Sequence, residues 1–184
     1  MPGDDALLDE TLAVLDDLIA FPTVALTPNV DLIGYVEDQI GPLCSDLVLT
    51  HDETRSRANL FATIGPNVDG GIVLSGHSDV VPVDAADWAT PPFKATRRGN
   101  RIYGRGTADM KGFIACVLAL VPGYAVLDLE RPIHVALTFD EEDSFHGAPI
   151  LLKELDQSGR RPAACIIGEP TGLRVIAAHK GCYE

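Results

Sequence analysis

Gly71-Ile72-Val73-Leu74-Ser75-Gly76-His77-Ser78-Asp79 is the stretch from which the fold is read. Ile72, Val73 and Leu74 form a continuous apolar run behind a glycine, the pattern of a short strand buried on both faces. The run delivers the chain straight into His77 and Asp79. Two later segments repeat the arrangement. The branched, apolar run at 133–139 leads into Asp140-Glu141-Glu142-Asp143, and the run at 163–167 leads into Gly168-Glu169-Pro170-Thr171.

Helical periodicity fills the intervals. After the glycine-rich Ile102-Tyr103-Gly104-Arg105-Gly106, Thr107 or Asp109 starts a helix over 110–127 that presents Phe113, Val117 and Leu120. Pro122 is expected to kink or end it. Another helix is expected over 147–155. Upstream, helices are expected over 5–21 and 29–41, the second with Asn29 as N-cap and Gly41-Pro42 as its stop. Strands are expected at 47–50, 58–64 and 174–179, a turn at 66–71, and a polar loop at 84–101. Alternating strands and helices predict an α/β fold: a central mixed, largely parallel sheet with helices on both faces.

The composition is ordinary for a globular chain of 184 residues, with 46% hydrophobic and 22% charged. The net charge of −13 opposes a phosphate backbone, so nucleic acid is an unsuitable partner. No apolar run reaches the roughly 18–20 residues of a membrane span. The acidic start lacks the basic and apolar parts of a signal peptide, so a cytoplasmic location is expected. The four cysteines, Cys44, Cys116, Cys165 and Cys182, form no C-x-x-C pair. They suggest neither a thiolate zinc site nor a disulfide framework. Cys116 and Cys165 lie in apolar runs and are expected to be buried.

Ligand sites in open α/β sheets gather at strand ends. His77, Asp79, Asp109, Glu141, Glu142 and Glu169 all follow an apolar strand or a glycine turn, so topology should bring them together. Singly, each has an ordinary reading. Asp109 serves as an N-cap, 140–143 as a solvated turn, and Glu169 as a loop residue. Together they are one imidazole and five carboxylates, which repel unless cations hold them. Divalent zinc, cobalt or manganese suits such donors. A pair of them bridged by an aspartate is a hydrolytic device. In His-x-Asp, Asp79 is placed to accept from the far ring nitrogen of His77. Glu141 and Glu142, as neighbours on extended backbone, should point oppositely, one to metal and one free as a base.

Gly76-His77-Ser78-Asp79-Val80-Val81-Pro82, Trp88 with Pro92-Phe93, and Tyr103-Gly104-Arg105-Gly106-Thr107-Ala108-Asp109-Met110-Lys111-Gly112 resemble the dinuclear zinc deacylases and peptidases. Asp140-Glu141-Glu142 and Gly168-Glu169-Pro170-Thr171 continue the resemblance in order. The resemblance implies that His77, Asp109 and Glu169 hold one Zn2+, with Co2+ or Mn2+ as substitutes. It implies that Asp109 and Glu142 hold the second, that Glu141 is the general base, that Asp79 orients His77, and that the peptide after Asp109 is cis. The implied reaction is hydrolysis of an amide in a small N-acylated amino acid.

Gly106-Thr107-Ala108-Asp109 and His179-Lys180-Gly181 resemble the acetylornithine deacetylase subgroup. The expected products are then ornithine and acetate, in arginine biosynthesis. Desuccinylases, aminoacylases and dipeptidases of the same family are the alternatives, and a non-catalytic metal-binding domain is the rival of another class. Relatives of this kind are longer. Residues 1–184 are therefore expected to be the N-terminal portion of the catalytic domain, without the lid through which homodimers form. The C-terminal segment that brings a last histidine is expected to be missing too. His51, His134, His146 and His179 do not look like substitutes for it.

Overall fold

A computed structural model describes residues 3–178. The run at Gly71 becomes β3 (Ile72–His77), and its entry depends on glycine. Gly71 has φ +79°, and a Cβ there would lie 2.1 Å from the Pro132 carbonyl oxygen. The other strands of the main sheet are β1 (Asp46–His51), β2 (Ala58–Ile64), β6 (Ile133–Thr138) and β7 (Ala164–Ile167). Their order is β1-β2-β6-β3-β7.

The sheet is mixed, but not largely parallel as expected. β1 with β2 and β2 with β6 are antiparallel, whereas β3 pairs in parallel with β6 and with β7. The reason is connection length. β1 and β2 are joined by a short loop, which permits only an antiparallel hairpin. β3 reaches β6 through a helix, as a parallel crossover requires.

Four helices cover the sheet: α1 (Asp4–Ala20), α2 (Val30–Ile40), α3 (Lys111–Ala125) and α4 (Gly147–Gln157). Alternation along the strands sorts two faces. Leu60, Ala62 and Ile64 of β2, with Val135 and Leu137 of β6, pack with Leu18, Ile33, Ile114 and Leu118 from α1, α2 and α3. Phe61, Val73 and Ala136 meet Leu151 of α4 on the other side. Helices on both faces are thus observed. Pro122 lies inside α3 without ending it. Val117, Leu118 and Val121 anchor that stretch in the core, and their burial outweighs the one lost helical hydrogen bond.

Several local expectations are corrected. Asn29 stands at the N-cap of α2, as expected, and its carbonyl accepts from the Ile33 amide, but its side chain makes no capping hydrogen bond. Its buried side chain instead accepts from the Ala58 amide and donates to the Ala58 carbonyl and to Ser78 Oγ. The polar loop contains a small hairpin, β4 (Thr96–Arg98) with β5 (Arg101–Tyr103). β7 is an exposed edge strand rather than a core strand: it lies at the end of the sheet beside β3, and all four of its residues are exposed. Residues 174–178 form no strand, and Leu173 and Val175 are fully exposed. No described segment pairs with them, and a strand needs a partner. Cys116 and Cys165 are exposed, Cys116 on the outer side of α3 and Cys165 on β7. His179-Lys180-Gly181 and Cys182 lie outside the described residues. Among the described residues, no helix is long and apolar enough to cross a membrane.

Candidate metal centre

β3 ends at His77, which is 2% exposed. The strand's extension is clamped on both sides. Ser78 donates to the Thr138 carbonyl through its amide and its hydroxyl, and Asn29 donates to Ser78 Oγ. The His77 ring is held by one nitrogen. Nδ1 lies 2.9 Å from the Asp79 carbonyl oxygen, which can only accept, so Nδ1 carries a proton. Nε2 then faces the acidic groups. It is 3.2 Å from Asp109 Oδ1, 3.7 Å from Glu169 Oε1 and 3.8 Å from Glu141 Oε2.

Asp79 is buried, and its carboxylate does something the sequence did not reveal. Oδ1 accepts from the Glu141 amide and Oδ2 from the Glu142 amide, each at 3.1 Å. The carboxylate stands 3.6 Å from His77 Nδ1, beyond hydrogen-bond reach. His77 is thus oriented mainly by the Asp79 backbone, while the Asp79 side chain grips the turn after β6.

That turn is not extended, so the extended-backbone reason for a division between Glu141 and Glu142 does not hold. Residues 141–144 form a turn, and Asp140 before them has φ +56°. Both glutamates reach the cluster, each in a different set of donors. The ligand atoms of His77, Glu141 and Glu169 form one trio, and those of His77, Asp109 and Glu142 form another. Within each trio, the atoms lie within 4.8 Å of one another. Asp109 is not the helix cap. α3 has Met110 at its N-cap position, and the Asp109–Met110 peptide is cis. Glu169 arrives past Gly168, where a Cβ would lie 2.0 Å from the Phe113 ring.

The electrostatics record the crowding. Burial alone would lower the His77 pKa, but Asp79, Glu141 and Glu169 together push it up to about 9. Burial would raise Asp79, yet the His77 ring and the amides of Glu142 and Glu141 hold it below the usual carboxylate range. Glu142 is raised by burial and then by Asp109, and Glu169 by burial with Asp109 and Glu141 adding. Carboxylates forced toward protonation beside an imidazole nitrogen form a donor set that divalent cations would relieve.

A second layer escaped sequence reading. Lys111 is fully buried, and its Nζ donates to the Leu18 and Phe21 carbonyls at the end of α1. Burial lowers its pKa to about 7, with the charge of Asp79 opposing. Asn59 accepts from the Phe139 amide and donates to the Gly147 carbonyl, bracketing the turn that carries the glutamates. Asp140 is buried against Arg57. Of these, only Lys111 and Asp140 stand in motifs the sequence marks.

Residues 73–180 match Peptidase family M20/M25/M40. The chain belongs to this family. It is similar to the acetylornithine deacetylase of Shigella sonnei, with 39% identity over 171 residues, covering 89% of this chain and 44% of that protein. Two solved structures share the fold. One is human carnosine dipeptidase 1, with TM-score 0.70, 22% identity, and 89% and 39% of the two chains covered. The other is the M20 family metallo-carboxypeptidase Sso-CP2 from Sulfolobus solfataricus, with TM-score 0.71, 23% identity, and 87% and 37% covered. The chain therefore spans less than half the length of each of these proteins.

Proposed function

We propose that these residues form part of the centre of a metal-dependent amidohydrolase whose substrate is N-acetyl-L-ornithine. The observation that carries the reading is the pair of overlapping donor trios around His77 Nε2. The choice of substrate is supported by the 39% identity to a deacetylase. On this reading the reaction belongs to arginine biosynthesis.

By the family motifs rather than by either trio, His77, Asp109 and Glu169 would hold one Zn2+, with Asp109 Oδ1 and Glu169 Oε1 lying 3.2 and 3.7 Å from His77 Nε2, and Asp109 with Glu142 would contribute to a second, with Co2+ or Mn2+ as substitutes. Asp109 would be shared by both sets: its Oδ1 lies 3.2 Å from His77 Nε2, and its charge raises the pKa of both Glu142 and Glu169. When bound, the cations polarise the amide carbonyl and acidify a water. Glu141 accepts the proton of the attacking water and delivers it to the leaving nitrogen. Asp79 is a positioning residue that fixes the Glu141 and Glu142 backbone and supplies the carbonyl that holds His77 Nδ1. Asp109 and Glu142 alone are a short ligand set. We therefore place a further ligand, the lid over the substrate and the homodimer contact on polypeptide beyond this portion of the catalytic domain.

Two measurements test the proposal. Metal content and hydrolysis of N-acetyl-L-ornithine, succinyl-diaminopimelate and dipeptides are followed for the 184-residue chain and for the longest polypeptide its gene encodes. Glu141→Gln is expected to keep the metal and lose turnover in the active form. Undiminished turnover removes Glu141 from its role. Metal binding without hydrolysis in either polypeptide favours the second reading, a metal-binding domain without catalysis, which the short second ligand set also suggests.

A further inference from the structure

Glu141 and Glu142 leave β6 through a turn whose shape is set one residue earlier. Asp140 is 1% exposed and adopts φ +56°, an uncommon conformation for a residue with a side chain. It is fastened at both ends. Oδ1 accepts from the Leu26 amide at 2.8 Å, and its backbone carbonyl accepts from the Phe145 amide at 2.7 Å, closing the turn around Glu141 and Glu142. Oδ2 takes Arg57 Nη1.

A buried carboxylate beside an acidic cluster needs a cation, and Arg57 supplies it. Arg57 is itself held in place. Nη2 and Nε lie 3.2 and 3.3 Å from Asp52 Oδ2, and the Arg57 amide lies 3.0 Å from Asp52 Oδ1. Its guanidinium carbon sits 5.4 Å from the centre of the Phe139 ring. The planar fork spans two carboxylates, which a lysine ammonium does not. Asp52 and Arg57 flank the β1–β2 hairpin loop, so that loop clamps the far side of the glutamate turn while Asp79 clamps the near side.

We propose that Arg57 is a positioning residue for the Glu141–Glu142 turn, acting through Asp140. Its importance for metal binding rests on the assignment of Glu142 to the metal centre.

The first arm of the test needs no metal. Amide hydrogen exchange is measured at Glu141 and Glu142, and at Val135 and Leu137 in β6, for the wild type, Arg57→Met and Arg57→Lys. In Arg57→Met, acceleration at the two glutamates should exceed that at the two core amides by about tenfold, the scale of one charge-assisted hydrogen bond. Arg57→Lys should recover part of it. Equal acceleration at all four amides, or none at the glutamates, overturns the proposal.

The second arm measures Zn2+ affinity of the wild type, Arg57→Met, Glu142→Gln and the double variant. Arg57→Met should weaken binding by about 10–100-fold, as loss of a ligand's support does, and should add little in the Glu142→Gln background. An equal loss in both backgrounds overturns the positioning role. If the wild type binds no Zn2+ yet the exchange pattern holds, the metal assignment fails and the hold of Arg57 on the turn stands.

Discussion

Replacing Asp79 by asparagine changes one oxygen to an NH2 and tests the grip on the glutamate turn. The native carboxylate takes the Glu141 and Glu142 amides on separate oxygens at 3.1 Å each. An amide keeps one acceptor, so one of those N–H groups would face another donor. A hydrogen bond to a charged group contributes about 1.5–3 kcal/mol, and the surviving bond becomes a weaker, neutral one. The sum is about 3 kcal/mol. For a chain of this size, each kcal/mol moves Tm by about 2–4 °C, so the metal-free protein should melt about 6–12 °C lower. His77 should respond as well. With the charge of Asp79 gone, its pKa should fall below the native value of about 9. Thermal unfolding in chelator and an NMR titration of His77 measure the two effects. Metal-free stability within about 0.5 kcal/mol of the wild type, the range of inert surface changes, refutes the claim that Asp79 holds the turn.

Other perturbations probe neighbouring supports. A Cβ on Gly147 would lie 2.3 Å from the Phe139 carbonyl oxygen and 2.8 Å from Asn59 Oδ1, so Gly147→Ala should cost about 1–3 kcal/mol in urea unfolding. Asn29→Ala strands the Ala58 amide and carbonyl that the side chain now satisfies, which predicts a loss of about 2–4 kcal/mol by the same assay. Acid stability depends on Asp52. Burial would raise its pKa, but Thr54, the Arg57 amide and the Arg57 guanidinium bring it down from 3.8 to about 2. A depressed carboxylate stabilises the fold above its unfolded pKa and loses that effect as pH falls toward 2. With solvent screening the contribution is about 1 kcal/mol, and Asp52→Asn should flatten the stability curve between about pH 4 and 2.

Much of the scaffold was legible because hydrophobic period is a local property. The runs at β2, β3 and β6 and the amphipathic faces of α1 and α2 are set by neighbours a few positions apart, and they appear where the pattern puts them. The donors were legible for a related reason. His77, Glu141, Glu142 and Glu169 each follow a strand, and strand ends on one side of a sheet converge however distant they are in the chain. Edge position was not legible. The runs at β6 and β7 look alike, yet Val135 is 1% exposed and Ile167 is 63% exposed, because only β6 has a strand on both sides and helices above and below.

By itself the sequence determined the strand-to-acid junctions, the family motifs and the four carboxylates that gather around His77. Tertiary structure alone decided how they are held. Asp79 grips backbone amides more than 60 positions away, and Arg57 reaches Asp140 across 83. Neither contact has a local signature, because a hydrogen bond depends on where two segments lie in space. The positions of these two segments are set by the sheet order, with β6 inserted between β2 and β3.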